Sequence, residues 1–261
     1  MIINRARSIK KAQNDQNMKI NELIELVKVL REKCPWDRDQ TLESVKNNLI
    51  EESYELVEAI EQGDTGAIKE EIGDLLFLGF FLARIFQEEN NIDLDELIAS
   101  TVTKYREKHP HVFNKEELKS PDEVLTYWQK SKQDIFRGIS KALPALLAAK
   151  IIQERASRMG FDWTSHEGPL EKVIEEVNEL SASISADNTL EEFGDLLFAC
   201  VNLARHLKID PEDALRYANM KFVKRFRKVK SELEAKGKRL QDVSLEEMDR
   251  IWDEVKHLDD E

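Results

Sequence analysis

Acidic residues with a regular spacing are the feature of this sequence that could carry chemistry. Glu176 and Glu179 are three residues apart, and after a short polar break Glu192 and Asp195 are again three apart. Residues three apart share one face of a helix. Two antiparallel helices joined at the break would therefore bring four carboxylates together. Oxygen ligands of this kind bind a hard divalent cation such as Mg²⁺, with Mn²⁺ as a substitute.

The residues around this pattern bear on whether it binds metal. Residues 196–204, which follow Asp195, are almost all apolar, as is typical of a buried helix. A carboxylate at the start of a buried helix is costly unless it is paired or bound to a metal ion. A solvated acidic helix face is the alternative interpretation of a single pattern.

The acidic pattern occurs a second time, near the N-terminus. In both copies a glycine precedes the aspartate and Leu-Leu-Phe follows it, at residues 75–77 and 196–198. A repeat of this length indicates an internal duplication. The first group of candidate metal ligands consists of Glu52, Glu55, Glu71 and Asp74.

The duplication and the composition predict the architecture. Glycine and proline are few and strand-like alternation is absent, so we predict an all-α protein made of two tandem four-helix-type bundles. The helical pattern weakens between residues 131 and 142, and we place the boundary there, between domains 18–137 and 138–261. Residues 1–17 form a polar N-terminal arm to which we assign no function.

Local signals predict where several helices begin. Thr41 and Ser244 are suitable N-cap residues, and Asp93 opens another helix. Asp210 and Pro211 together predict the start of a long basic helix.

Each acidic pattern is followed by a basic helix and then by a tryptophan. Basic side chains could bind phosphate oxygens, arginine in bidentate fashion, and a tryptophan could stack on a base. With a metal ion these groups favour cleavage of a nucleotide phosphoanhydride by metal-activated water, with a glutamate as general base. The candidate substrate-binding residues are Lys221, Arg225, Trp252, Lys104 and Lys108. The alternatives are a solvated cationic helix end and tryptophans in the core.

Charge and cysteine usage limit the partners and the compartment. The formal net charge of −13 disfavours a nonspecific binder of nucleic acid or of membranes. The two cysteines, Cys34 and Cys200, have neither disulfide-framework nor zinc-site spacing. No apolar signal core and no convincing membrane-spanning run is present, so we expect a cytoplasmic protein.

The motifs together resemble a known family. Glu-Glu-x-x-Glu, a spacer and then Glu-x-x-Asp is the signature of the all-α nucleoside triphosphate pyrophosphohydrolases. The chain is most similar to the MazG family in its two-domain form, and the resemblance covers nearly everything after the N-terminal arm. The similar segments are residues 34–37, 73–77, 109–113, 160–163 and 194–198.

The resemblance implies an activity and a set of residues. It implies Mg²⁺-dependent hydrolysis of ribo- and deoxyribonucleoside triphosphates to the monophosphate and pyrophosphate, with broad base tolerance, by a homodimer. It places the metal ligands and catalytic groups at Glu176, Glu179, Glu192 and Asp195, and the substrate contacts at Lys221, Arg225 and Trp252.

The first half departs from this pattern at Lys108, where the second half has Arg225. We therefore expect the second half to carry the main catalytic site. A metal-stabilised helical scaffold or protein-binding module without catalysis is the alternative from another class, since an acidic quartet alone would serve either role.

Overall fold

The computed structural model describes residues 19–113, 120–130, 134–184 and 187–259, and every regular element in these ranges is helical. The prediction of an all-α fold is confirmed. The predicted N-terminal arm, residues 1–17, lies outside the described residues. Contacts divide the chain into two compact units, Met1–Glu117 and Leu118–Glu261.

The first unit is built around an antiparallel pair of long helices, α3 and α4. Thr41 caps α3 as predicted, since its hydroxyl accepts a hydrogen bond from the Ser44 backbone N–H at 3.2 Å. Gly63 ends α3 in the left-handed conformation, with φ of 68°, which favours glycine. The helices of this unit are α1 (19–33), α2 (Pro35–Asp39), α3 (Leu42–Gln62), α4 (Thr65–Asn90), α5 (Leu94–Lys108) and α6 (Pro110–Phe113).

The core of the first unit lies where α1, α3 and α4 meet. Val27, Val45 and Phe81 are buried there together with Leu78 and Ile85. Because these side chains come from three helices, they fix how α3 and α4 are held side by side.

The second unit repeats this helical pair with α9 and α10. Its helices are α7 (Pro121–Lys130), α8 (Ala145–Ser157), α9 (Glu167–Ser183), α10 (Thr189–His206), α11 (Pro211–Ala235) and α12 (Leu245–Asp259), with a 3₁₀ turn at Leu240–Asp242. The carboxylate of Asp210 caps α11 and accepts from the backbone N–H of Glu212 at 3.0 Å. Val229, Leu233, Ile251 and Val255 form a second core between α11 and α12.

The division between the units differs from the predicted boundary. Contacts group residues from Leu118 onward with the second unit, whereas the hydrophobic pattern placed the boundary after residue 137. This grouping places helix α7, which contains Trp128, with the second unit. The domain bounds 18–137 and 138–261 stay a prediction.

In the described part of the chain, no helix is both long enough and apolar enough to cross a membrane.

Candidate active site

Carboxylates from both helices of each pair converge. In the first unit Glu52 and Glu55 on α3 and Glu71 on α4 each offer an oxygen, and these atoms lie within 4.8 Å of one another. In the second unit the same holds for Glu176, Glu179 and Glu192. The structure thus gathers three of the four predicted ligands in each unit.

The two aspartates lie outside these groups of three. Asp195 lines a cavity beside Glu176. In the first unit, Asp74 is near enough for its charge to raise the pKa of Glu52, after burial as the larger cause. Each aspartate therefore adjoins its cluster without being part of it.

In the first unit the carboxylates are crowded. Burial first, and then the charges of Glu55 and Asp74, raise the pKa of Glu71. Its Oε2 atom is buried without a hydrogen-bond partner among the described residues. A site of mutually repelling carboxylate oxygens, one of them unpartnered, fits a hard cation.

In the second unit a lysine neutralises part of the acidic cluster. Lys172 Nζ lies 2.7 Å from Glu176 Oε1. Glu176 is only 4% exposed, and its Oε2 has no hydrogen-bond partner in the described ranges. Hydrogen bonds to Glu175 and Glu176 raise the pKa of Lys172. The donor set and the orphaned oxygen fit Mg²⁺ here as well.

The sequence reasoning missed Lys172. The available signal was its position four residues before Glu176, which places both on one helix face. The first unit has Asn48 at the corresponding place, four residues before Glu52. The two acidic clusters therefore differ in charge beside the glutamates at positions 52 and 176.

A cavity of about 580 Å³ opens beside the second acidic cluster. Glu176, Asp195 and Lys172 line part of it, and most of its remaining walls are apolar. The apolar and aromatic walls are formed by Phe136, Ile152, Ala156, Phe161, Trp163 and Phe198. Its volume is that of a small-molecule site.

Gly168 leaves space for the Trp163 side chain in the cavity wall. A Cβ atom at this position would lie 2.1 Å from Cδ1 of Trp163, so any larger residue would displace the indole. The glycine in the first turn of α9 therefore allows Trp163 to lie against the helix.

An ionic network includes two residues of the cavity wall, Asp162 and Arg205. The Asp162 carboxylate accepts hydrogen bonds from Arg205 Nη1 at 2.8 Å and Nη2 at 2.5 Å, and its Oδ1 lies 2.9 Å from His206 Nε2. The guanidinium of Arg205, and then His206, lower the pKa of Asp162 to about 2 despite its partial burial. Sequence reasoning found Asp162 only as a turn residue and missed its partners.

The first unit fills the corresponding space. When the two Gly-Asp-Leu-Leu-Phe segments are aligned, Leu78 takes the place of Ala199 and Phe81 takes the place of Asn202. Leu78 is 6% and Phe81 2% exposed, and both belong to the core cluster. The first unit therefore keeps its carboxylates but packs side chains where the second unit has a cavity.

The predicted substrate-binding residues lie elsewhere. Among the described residues Lys221, Arg225 and Trp252 are not part of the cavity wall. Arg225 is buried, while Lys221 Nζ lies 5.7 Å from the centroid of the Tyr217 ring. Trp252 packs against the α11–α12 core and tilts against Phe222, with centroids 5.1 Å apart. Trp252 therefore lies in the core, which is the alternative to base stacking that the sequence allowed for the tryptophans.

The two basic candidates of the first unit are both exposed. Lys104 Nζ and Lys108 Nζ lie 5.4 and 5.6 Å from the centroid of the Tyr105 ring, on α5.

Comparison with known proteins identifies the family. The pattern of the MazG nucleotide pyrophosphohydrolase domain matches residues 40–113 and, a second time, residues 164–230. The chain belongs to the MazG family. Both matched stretches contain one of the acidic helical pairs, so the resemblance and the predicted tandem all-α duplication are confirmed.

Relatives of full length share the MazG name or activity. The nucleoside triphosphate pyrophosphohydrolase/pyrophosphatase MazG of Thermotoga maritima is 41% identical over 92% of this chain and 96% of its own length. The nucleoside triphosphate pyrophosphohydrolase of Escherichia coli K12 is 38% identical over 91% of this chain and 97% of its own. The solved structure of a mazG-related protein from Thermotoga maritima is 30% identical in sequence and has a TM-score of 0.39. Its alignment covers 42% of this chain and 96% of that protein's chain.

Proposed function

We propose that the second unit hydrolyses nucleoside triphosphates, ribo- and deoxyribonucleotides alike, to nucleoside monophosphate and pyrophosphate with Mg²⁺, for which Mn²⁺ can substitute. The observation that carries this proposal is the acidic cluster of Glu176, Glu179 and Glu192, of which Glu176 lines a ligand-sized cavity. The pyrophosphohydrolase names of two full-length relatives support it.

The residues of the second unit have distinct tasks in this proposal. Glu176, Glu179 and Glu192, with Asp195 beside them, would hold the ion. Mg²⁺ would supply the Lewis acidity that draws charge from a phosphoryl oxygen. Lys172 would move from Glu176 to a phosphate oxygen, because the cation would replace its ammonium group as the counter-charge.

One glutamate of the second cluster would take the proton of the attacking water as general base. Desolvation and the charge of Glu176, opposed by that of Lys172, raise the pKa of Glu179.

The scaffold alternative applies best to the first unit. Its carboxylates Glu52, Glu55 and Glu71 converge, but Leu78 and Phe81 are packed in the corresponding core. Metal binding there, together with Asp74, would stabilise α3 against α4 without hydrolysis.

Paired alanine variants test this division. We expect Glu176→Ala with Glu179→Ala to lose at least about tenfold in kcat/KM for pyrophosphate release, a barrier change of roughly 1.4 kcal/mol. The matched control, Glu52→Ala with Glu55→Ala, should lose much less. Both variants are first shown to be folded by circular dichroism.

Three other results would change the assignment. Equal losses would mean two comparable sites, and the reverse order would move catalysis to the first unit. If the wild type releases no pyrophosphate from any nucleoside triphosphate above a metal-free control, the scaffold is the better description of both units.

Assembly and location complete the proposal. We infer a homodimer, supported by exposed apolar side chains on α9 and α10 such as Ile174, Val177 and Phe193. Light scattering that gives the mass of one chain would contradict it. The reduced cytoplasm suits the two free cysteines, and the net charge of −13 argues against nucleic acid or membrane as a partner.

A further inference from the structure

A buried glutamine with an unpaired acceptor is part of the cavity wall in the second unit. Gln153 is 7% exposed, and its Nε2 donates a hydrogen bond to the Phe198 carbonyl oxygen at 2.8 Å. A carbonyl oxygen can only accept, so this bond fixes which end of the amide is the donor. Gln153 Oε1 is consequently the free end, and it is buried without a hydrogen-bond partner among the described residues.

Asn202 is oriented in a similar way. Its Oδ1 accepts from Arg205 Nε at 3.1 Å and from Arg205 Nη2 at 2.7 Å. A guanidinium can only donate, so Asn202 Nδ2 remains as a donor. Arg205 is itself held by the Asp162 carboxylate, so the asparagine has a rigid support.

Besides its charged residues, the cavity therefore combines aromatic walls with a neutral acceptor at Gln153 and a neutral donor at Asn202 whose identities are fixed. Aromatic side chains at Phe161 and Trp163 suit a planar ring. A purely apolar ligand would leave the Gln153 acceptor unsatisfied.

We infer that this cavity receives the nucleobase of the substrate, with Gln153 Oε1 accepting a base N–H and Asn202 Nδ2 donating to a base nitrogen or carbonyl. The inference rests on the proposed function, and it adds the residues that contact the base. The triphosphate would then extend toward Glu176 and Asp195.

Broad base tolerance is consistent with this arrangement. Adenine, cytosine, guanine and uracil each present at least one N–H and one acceptor on the edge used in base pairing. A single acceptor at Gln153 thus selects for the presence of an N–H, not for one base. Purine riboside triphosphate has neither the exocyclic amine of adenine nor a ring N–H, and it isolates this contact.

The test compares ATP with purine riboside triphosphate on the full chain with Mg²⁺. We expect the wild type to prefer ATP by at least about tenfold in kcat/KM, because a buried acceptor penalises a ligand that lacks the donor. Gln153→Met keeps the size of the side chain but removes the acceptor. This variant should lose activity toward ATP but not toward purine riboside triphosphate, so the preference for ATP should disappear. The control, Gln87→Met in the first unit, should retain the preference for ATP.

A second measurement uses the wild-type protein and does not depend on the folding of Gln153→Met. AMP, but not ribose 5-phosphate, should quench tryptophan fluorescence, and Trp163→Phe should abolish the quenching. If the wild type hydrolyses both triphosphates equally well and AMP does not quench the fluorescence of Trp163, the inference that the cavity binds the base is wrong, although the proposed function stands. If ATP is not hydrolysed at all, the proposed function fails and the inference fails with it.

Discussion

Asp162 is the charged residue whose contribution to stability can be worked out most directly. Its carboxylate lies against Arg205 and His206, and its pKa is lowered from 3.8 to about 2. At about 1.36 kcal/mol for each unit of pKa, a shift of about 1.8 units corresponds to about 2.4 kcal/mol. The side chain is 24% exposed, so solvent screening reduces the contribution to about 1–2 kcal/mol at pH 7.

The sign of the pH dependence follows from the direction of the shift. Because the folded-state pKa is lower than the unfolded value, the stabilisation is fully present above about pH 4 and is lost as the pH falls through about 2. At pH 3 roughly half of it remains. Asp162→Asn should therefore lower the free energy of unfolding by about 1–2 kcal/mol at pH 7 and by about half as much at pH 3.

Urea unfolding of the wild type and Asp162→Asn at pH 7, 5 and 3 measures this difference. Asp242→Asn is the matched control, because Asp242 accepts two hydrogen bonds from Arg239 but is 53% exposed. We expect it to change the free energy of unfolding by less than about 0.5 kcal/mol. A loss for Asp162→Asn that stays constant from pH 7 to pH 3 would refute the electrostatic explanation, as would an equal loss for the control.

Two other perturbations separate the roles of the units. Lys172→Asn introduces the residue found at position 48, and it should lower the melting temperature, measured by circular dichroism, when a chelator is present. In saturating Mg²⁺ the same variant should have little effect, because the cation replaces the lost counter-charge of Glu176. An equal loss in both conditions would mean that the lysine is purely structural. Phe81→Ala should cost about 3–5 kcal/mol in urea unfolding, since it empties a buried position of the first core, yet leave kcat/KM for ATP nearly unchanged; a large loss of activity in the folded variant would contradict the assignment of catalysis to the second unit.

Features that depend on neighbours within one or two helical turns are predictable from the sequence. The duplication, the all-α class and the helix starts at Thr41 and Asp210 could be predicted, because caps and helical periodicity depend on residues a few positions apart. The convergence of Glu176 with Glu179 is of the same kind.

Features that depend on how the helices pack are visible only in the three-dimensional structure. The burial of Gln153, and the cavity beside Ala199 where the first unit has Leu78, come from contacts between residues far apart in sequence. The same is true of Trp252, whose core position a sequence pattern leaves open. Helical periodicity predicts which side chains share one face of a helix. Which other helix packs against that face, and how much space remains between the two helices, depends on the side-chain volumes of several helices at once.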